Sequence, residues 1–290
     1  MNPIVDPISA PHVPEDAFHL RCGRHSLDLS FPRVMGILNV TPDSFSDGGR
    51  FNDPGRAVEH AFTLLAEGAD ILDLGAESTR PGAAAVSAEE EIARLMPVMH
   101  ALRDVKIPLS VDTMKPEVMR VAIGEGVSFI NDINALRSDG ALEAVVRSQA
   151  GVCLMHMRGE PANMQNATSY VDVVAEVGQF LAARVAAAEA AGIARERICI
   201  DPGFGFGKTL QHNLLLVRGL DRLAGIGTVL FGASRKASLG QLTGRPAGER
   251  LVPSVAMALL AAERGASILR VHDVAATRDA LAIWTALRDA

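Results

Sequence analysis

Short unbroken apolar runs recur along the chain, separated by longer stretches whose apolar residues fall at helical spacing. The runs occupy residues 34–39, 71–74, 109–112, 129–132, 152–156, 198–201, 229–234 and 268–272. Strands that are apolar on consecutive residues are buried on both faces, as in a parallel sheet. Between the first two runs, Asp53 can cap a helix and Pro54 suits its first position, with Ala57, Val58, Ala61, Phe62 and Leu65 predicted on one face. Several helices hand over to the next strand through a similar turn, Glu67-Gly-Ala-Asp70, Glu125-Gly-Val-Ser128 and Arg264-Gly-Ala-Ser267. Glycine there supplies the left-handed residue that ends a helix. Eight such units predict an α/β fold of the (β/α)8 TIM barrel type. A doubly wound sheet would have fewer strands and a nucleotide fingerprint after the first. Ahead of them, residues 18–31 alternate around Gly23 and predict a short N-terminal β-hairpin, while residues 1–17, with four prolines, read as a loosely ordered tail. No shift of composition marks a further boundary, so residues 18–290 read as one domain.

Composition narrows the partners. The chain has 290 residues, 48% of them hydrophobic, and a net charge of -6, with no run of Lys and Arg. Nucleic acid is therefore excluded as a general partner, and any anionic ligand must be held by a few placed cations. Cys22, Cys153 and Cys199 are odd in number and far apart, two of them inside apolar runs, which suits reduced thiols packed in a core. The first 30 residues lack the charged start and apolar stretch of a signal peptide, and no segment reaches the ~20 apolar residues of a membrane span. These features predict a cytoplasmic location with no membrane partner.

The stretch Ile200-Asp-Pro-Gly-Phe-Gly-Phe-Gly-Lys-Thr209 ends like a phosphate-binding P-loop. That pattern requires glycine five positions before Gly207, where Pro202 stands, and proline has no backbone N–H to offer. A different chemistry follows from the strand ends, which carry Asn39, Asp73, Asp112, Asn131 with Asp132, His156, Asp201, Ser234 ahead of Arg235 and Lys236, and Arg270 with His272. In a barrel of this kind those ends converge on the active-site mouth. Singly, each reads equally well as a loop residue or a helix cap. Together, inward carboxylates, an amide and a buried lysine suit the edge of a flat heterocycle bearing an amino group, a ring N–H and a carbonyl. Arg80, Arg270 and His272, with Asn39 as a candidate metal ligand, suit phosphate oxygens.

The stretch 35–49, Met-Gly-Ile-Leu-Asn-Val-Thr-Pro-Asp-Ser-Phe-Ser-Asp-Gly-Gly, resembles the first-strand signature of the dihydropteroate synthase family. The resemblance continues through Glu77-Ser-Thr-Arg-Pro-Gly82, Ser110-Val-Asp-Thr113, Ile130-Asn-Asp-Ile133, Leu154-Met-His-Met157, Asp201-Pro-Gly-Phe-Gly-Phe-Gly-Lys208, Ser234-Arg-Lys236 and Arg270-Val-His-Asp273. It implies a pterin-binding barrel that joins dihydropterin pyrophosphate to p-aminobenzoate in folate biosynthesis. It further implies a homodimer formed through late helices and a target of sulfonamides. By this resemblance Asp112, Asn131, Met155, Asp201, Gly232 and Lys236 hold the pterin, and Asn39, Thr79, Arg80, Arg270 and His272 hold the pyrophosphate. Asn39 would also ligate Mg2+. Pro81, Phe206 and Lys236 fall at the p-aminobenzoate, and Asp112, Lys236, Arg270 and His272 carry the chemistry. Loops 41–51 and 78–87 would close over the site. The implied reaction is substitution at the exocyclic methylene, with the C–O bond breaking early and no covalent enzyme intermediate. One departure stands out: many members carry serine directly after the lysine matching Lys236, and here Ala237 precedes Ser238. The p-aminobenzoate carboxylate then falls to Ser238 or to backbone N–H groups of the following helix. Two rivals remain, a methyltetrahydrofolate-dependent corrinoid methyltransferase domain and a pterin-binding protein without catalysis. The first gives no purpose to the Thr79-Arg80-Pro81 loop or to Arg270 and His272.

Overall fold

The computed structural model describes residues 19–40, 54–78, 86–159, 164 and 168–290. Ten strands are present among them: β1 (His19–Cys22), β2 (His25–Asp28), β3 (Arg33–Asn39), β4 (Ile71–Gly75), β5 (Leu109–Asp112), β6 (Phe129–Asp132), β7 (Gly151–Met155), β8 (Ile198–Asp201), β9 (Thr228–Phe231) and β10 (Ala266–Val271). The helices are α1 (Pro54–Ala66), α2 (Ala88–Leu102), α3 (Pro116–Gly124), α4 (Ala141–Val146), α5 (Val173–Ala190), α6 (Leu210–Arg218), α7 (Leu220–Ala224), α8 (Ala237–Thr243), α9 (Leu251–Glu263) and α10 (Val274–Arg288). Strands β3 to β10 form a closed parallel barrel in chain order, with β10 pairing back on β3. The fold is the (β/α)8 TIM barrel that the eight runs predict. Single helices follow most strands, while α6 and α7 separate β8 from β9, and α8 and α9 separate β9 from β10.

Successive residues of a strand face opposite sides, so the barrel sorts its side chains by parity. One set, including Val34, Leu38, Leu72, Leu74, Val111, Ile130, Leu154, Ile200, Val229 and Leu269, packs outward under the helices in the main core. The other set forms a separate cluster inside the barrel, made of Met35, Ile71, Phe129, Cys153, Cys199, Leu230 and Ile268. Leu20, Cys22 and Leu29 from the hairpin region belong to that same cluster, so β1 and β2 plug the N-terminal end of the barrel. Gly151 is required there, because a Cβ would lie 2.7 Å from the Phe129 ring and 2.9 Å from the Arg21 carbonyl oxygen. All three cysteines are buried free thiols, Cys153 and Cys199 in apolar runs and Cys22 at the end of β1.

The helix-to-strand turns form as expected. Gly68, Gly126 and Gly265 have φ of +93°, +96° and +94°, the region in which a side chain is strained. In α1 the buried face is Ala57, Ala61 and Leu64, and Phe62 is 52% exposed. The buried stripe is therefore rotated from the expected one: one residue is about 100° on a helix, which carries Phe62 off the face that Ala57, Ala61 and Leu64 share. Among the described residues no helix is long and apolar enough to cross a membrane.

Candidate active site

Two residues beyond most of the inward apolar plugs stands a residue of the mouth, with β3 the exception, where Ile37 comes between Met35 and Asn39. Ile71 is followed by Asp73, Phe129 by Asn131, Cys153 by Met155, Cys199 by Asp201, Leu230 by Gly232 and Ile268 by Arg270. The same parity carries Asn39 on β3, Asp112 on β5 and His272 just past β10. Alternation thus turns a hydrophobic floor into a largely polar mouth within one or two pleats of the strands. Met155 adds apolar surface, clustering with Ile133, Met157 and Met164 beside the part-buried Met114 and Phe206. At Gly232 the nearest atoms a Cβ would meet belong to Arg270, at 3.5 Å or more, so the backbone there lies alongside the Arg270 side chain.

Charge in the mouth is paired across the barrel. The Arg270 guanidinium donates from Nε to Asp73 Oδ2 at 2.6 Å and from Nη2 to Asp112 Oδ2 at 2.8 Å. Asp73 is fully buried and also accepts from Ser110 Oγ at 2.5 Å and Asn131 Nδ2 at 3.0 Å. Burial pushes the Asp112 carboxyl up to about 7 despite the opposing pull of Arg270, with Asp73 adding to the rise. The same two carboxylates hold Arg270 above its ordinary value against the effect of burial. Arg270 therefore lies against both the heterocycle-side carboxylate and the deeper Asp73, so the two sides assigned from sequence meet at this guanidinium.

The Asp201 loop follows β8, two strands from β10 around the barrel. Asp201 Oδ1 accepts from Gly203 N at 2.6 Å, and its other oxygen has no hydrogen-bond partner among the described residues. Burial raises its pKa, while Lys236, the Gly203 N–H, Lys208 and Arg270 pull it back down. The Lys236 ammonium donates to the Phe204 carbonyl and lies 4.6 Å from the centroid of the Phe206 ring. Burial lowers Lys236 to about 8, and Asp201 is the leading influence holding it up. Each thus lies within electrostatic reach of the other.

The glycines of this loop have steric causes. Gly203 takes φ +67°, and a Cβ there would lie 1.9 Å from the His156 carbonyl oxygen. Gly205 takes φ +86° and leaves the Lys236 stem room to cross. Lys208, the residue that makes the stretch look like a P-loop, points inward. Its three N–H groups meet three acceptors, Gly203 O, Phe206 O and His156 Nδ1, each at 2.9 Å. Burial lowers Lys208 well below its ordinary value against the pull of Asp201, and with Nζ donating to it His156 accepts at Nδ1 and carries its proton at Nε2. Burial and the neighbouring cations lower His156 to about 2, which keeps it neutral. Lys208 braces the loop from within and offers nothing to a phosphate.

Several strand-end groups read as members of the rim are placed elsewhere. Asp132 has the opposite parity to Asn131, and its two oxygens accept the N–H groups of Asn134 and Leu136 at 2.7 Å each, holding the turn after β6. His156 likewise has the opposite parity to Met155 and packs edge-on to Phe180, 4.9 Å between ring centroids. Ser238 is held through its lone pairs, which leaves its own O–H to donate. It is buried, and its hydroxyl accepts from Asn213 Nδ2 at 3.2 Å, while Asn213 Oδ1 accepts from Gly205 N at 2.7 Å. The helix start points Ser238 inward, behind the glycine loop.

On the far side, Ser234 Oγ accepts from the His272 N–H at 3.2 Å and lies 3.0 Å from His272 Nδ1, tying the β9 loop to the end of β10. Arg235, at φ +58°, pairs with Asp273 through both carboxylate oxygens. Asn39 is part-buried at the inner end of β3, its Oδ1 facing the open side of Gly75. Among the described residues no three His, Cys, Asp or Glu side chains are grouped to hold a metal ion. A lone amide oxygen suits a hard ion that draws its other ligands from phosphate and water, as Mg2+ does. Thr79, Arg80 and Pro81, like loop residues 41–51, lie outside the described residues. At the base of that segment, Glu77 accepts the Val86 N–H at 3.0 Å, and Lys115 joins Glu77 to the buried Glu91. Asp73 and Ser110 are the principal members of the mouth that the motifs do not assign. Their parity with Ile71 and Asp112 is the signal the sequence carries for them.

The family model for pterin binding enzymes matches residues 35–272, from within β3 to the residue after β10, so the class follows from the barrel as a whole. The dihydropteroate synthase of Neisseria meningitidis serogroup C is 52% identical over 273 residues, covering 92% of this chain and 96% of its own. The Xanthomonas albilineans dihydropteroate synthase solved with 4-aminobenzoic acid superposes with a TM-score of 0.89 at 53% identity, over 94% of this chain and 99% of that one. The same enzyme solved with 7,8-dihydropteroate gives 0.84 at 48% identity, over 94% and 99%. The chain belongs to the dihydropteroate synthase family.

Proposed function

We propose that this chain condenses 6-hydroxymethyl-7,8-dihydropterin pyrophosphate with p-aminobenzoate to give 7,8-dihydropteroate and pyrophosphate, a transferase step of folate biosynthesis. The observation that carries the reading is the set of polar groups with hydrogen-bonding capacity to spare around one mouth: a buried carboxylate with one oxygen unpartnered among the described residues, an ammonium that it influences, and an amide whose Nδ2 is held by Asp73. A pterin edge presents an amino group and a ring N–H beside a carbonyl, which complements Asp201 and Lys236. A carboxylate only accepts, so Asn131 turns its Nδ2 to Asp73 and its Oδ1 away, as an acceptor for the remaining ring edge together with Asp112. Met155 and the side-chain-free backbone at Gly232 suit the faces of a flat ring. The Xanthomonas albilineans enzyme has been solved with 4-aminobenzoic acid and with 7,8-dihydropteroate, which agrees with these substrates.

In the reaction, Arg270 and His272 receive pyrophosphate oxygens, joined by Thr79 and Arg80 from their loop. When bound through the Asn39 oxygen, Mg2+ supplies charge neutralisation to the leaving pyrophosphate. As the C–O bond lengthens, positive charge spreads into the pterin beside the Asp112 carboxylate, and the aniline nitrogen attacks the methylene. Phe206, Pro81 and the Lys236 stem form the p-aminobenzoate wall. Asn213 donates to the Ser238 hydroxyl, whose own O–H remains for the substrate carboxylate, and with no side chain capping α8 the backbone N–H groups at the start of that helix are the second candidate. Leu242, Leu251, Val252, Leu260, Ile283 and Leu287 are exposed on α8 to α10 and support self-association into a homodimer through the late helices.

Pyrophosphate release, followed with and without p-aminobenzoate, tests the reading. Release should require Mg2+ and p-aminobenzoate together, match dihydropteroate formation one for one, and be inhibited competitively by a sulfonamide. Methyl transfer from methyltetrahydrofolate with no pyrophosphate would overturn it. A pH profile supplies a second check. Asp112 must be ionised to face the developing cation, and Lys236 protonated to donate, so kcat/KM should rise through about 7 and fall above about 8. A profile flat across that range contradicts these two assignments.

A further inference from the structure

We infer that Asp73 is a positioning residue that sets the pterin-facing amide of Asn131 and the phosphate-facing guanidinium of Arg270 together, through one carboxylate that no ligand reaches. The inference rests on the condensation reading above and adds a residue to it. Asp73 is 0% exposed, and so is Ser110, which donates to its Oδ1 at 2.5 Å. Its Oδ2 accepts at once from Asn131 Nδ2 at 3.0 Å and Arg270 Nε at 2.6 Å. Both donors stand on strands remote in sequence, and both project into the mouth.

The chemistry of the acceptor determines what each donor can do. Asn131 has two nearly isosteric ends, and nothing in its shape decides which faces the mouth. A carboxylate beneath it accepts only, so the amino end turns down and the carbonyl oxygen turns to the ligand. Arg270 has three edges, and holding it by Nε directs Nη2 to Asp112 at 2.8 Å and leaves Nη1 without a hydrogen-bond partner among the described residues. Ser110 in turn fixes the carboxylate plane by engaging its other oxygen. Asp73 thus couples the pterin half of the site to the phosphate half without touching either substrate.

Asp73→Asn keeps the shape and removes the accept-only character. In the full chain, calorimetry with 6-hydroxymethyl-7,8-dihydropterin, which lacks phosphate, should show affinity weakened by about thirtyfold, the loss expected of a charge-assisted network. For the pyrophosphate substrate kcat/KM should fall by about a hundredfold, since both halves suffer, with KM for p-aminobenzoate within about twofold. The decisive comparison is a double-mutant cycle. In an Asn131→Ala background, Asp73→Asn should change pterin affinity by less than about threefold, because its reporter is gone. Full additivity, or an equal loss for p-aminobenzoate, would mean a general structural role and overturn the assignment. Should Asp73→Asn fail to fold, Ser110→Ala serves: about fivefold weaker pterin binding with KM for p-aminobenzoate unchanged supports the inference, and unchanged pterin binding overturns it. Binding is measured without turnover, so a parent enzyme that binds pterin but makes no dihydropteroate refutes the reaction and leaves this cycle decisive.

Discussion

Asp201→Ala is expected to weaken binding of 6-hydroxymethyl-7,8-dihydropterin by about a thousandfold, with the secondary structure intact by circular dichroism. Two losses combine in that figure. The carboxylate oxygen that no described residue engages is the group assigned to the pterin's amino and ring N–H donors, and no neighbour replaces it. Its charge is also the leading influence that holds Lys236 up at about 8 against burial. Without it the ammonium titrates lower, so at neutral pH the second pterin contact weakens as well. Lys236→Ala should show a comparable loss from the other side, and the pair should be less than additive because each supports the other. A fluorescence titration reads both variants. Parental affinity in either would mean that the ring edge is recognised elsewhere.

Arg270→Met should be the most damaging single change in both stability and turnover. Methionine fills a similar volume but leaves Asp73 and Asp112 without their shared cation, and stranding buried charge costs about 3–5 kcal/mol. The sign of the pH dependence follows from Asp112. Its folded-state pKa is already raised to about 7, and Arg270 is the leading influence that keeps it from rising further. A carboxyl raised on folding stabilises the folded state most when protonated, below its unfolded value, and that contribution is lost as pH rises through the folded value. The part of the deficit that comes from Asp112 should accordingly be small near pH 5 and grow toward pH 8, on top of the loss at Asp73. Denaturant midpoints across that range measure it. A deficit that shrinks as pH rises would show that Arg270 is not the counterion of Asp112. Turnover should fall by about a thousandfold, because a placed donor at the leaving group is lost together with the ionisation of Asp112.

The barrel is legible in the sequence because doubly buried parallel strands leave unbroken apolar runs, and because Gly68, Gly126 and Gly265 mark the turns that reset each unit. Most of the mouth is legible for a related reason: a polar residue that closes such a run sits where burial demands a partner, and the barrel mouth supplies one. What escapes is direction. Asp132 and His156 close their runs as plainly as Asn131 and Met155 do, yet one step along a strand reverses the facing, and both turn to brace loops. Phe62 escapes in a similar way, through a turn of α1. Asp73 is visible as a polar strand residue, but its partner Arg270 is 197 residues away, and only closure of β10 onto β3 brings them together. Lys208 shows the converse. Its place after Gly207 resembles a phosphate cradle, and the three acceptors it satisfies are all inside its own loop and the adjacent His156.

The proposed reaction depends on one ring lying between Asp201 and Lys236, and a crystal structure with bound 6-hydroxymethyl-7,8-dihydropterin measures that directly. The pterin amino and ring N–H groups should lie about 2.9 Å from Asp201 oxygens, and the carbonyl oxygen at a similar distance from Lys236 Nζ. The Asn131 carbonyl oxygen should face the remaining edge. A pterin bound outside this mouth, or inside it with Asp201 contacting neither nitrogen, would contradict the assignment on which the chemistry is built.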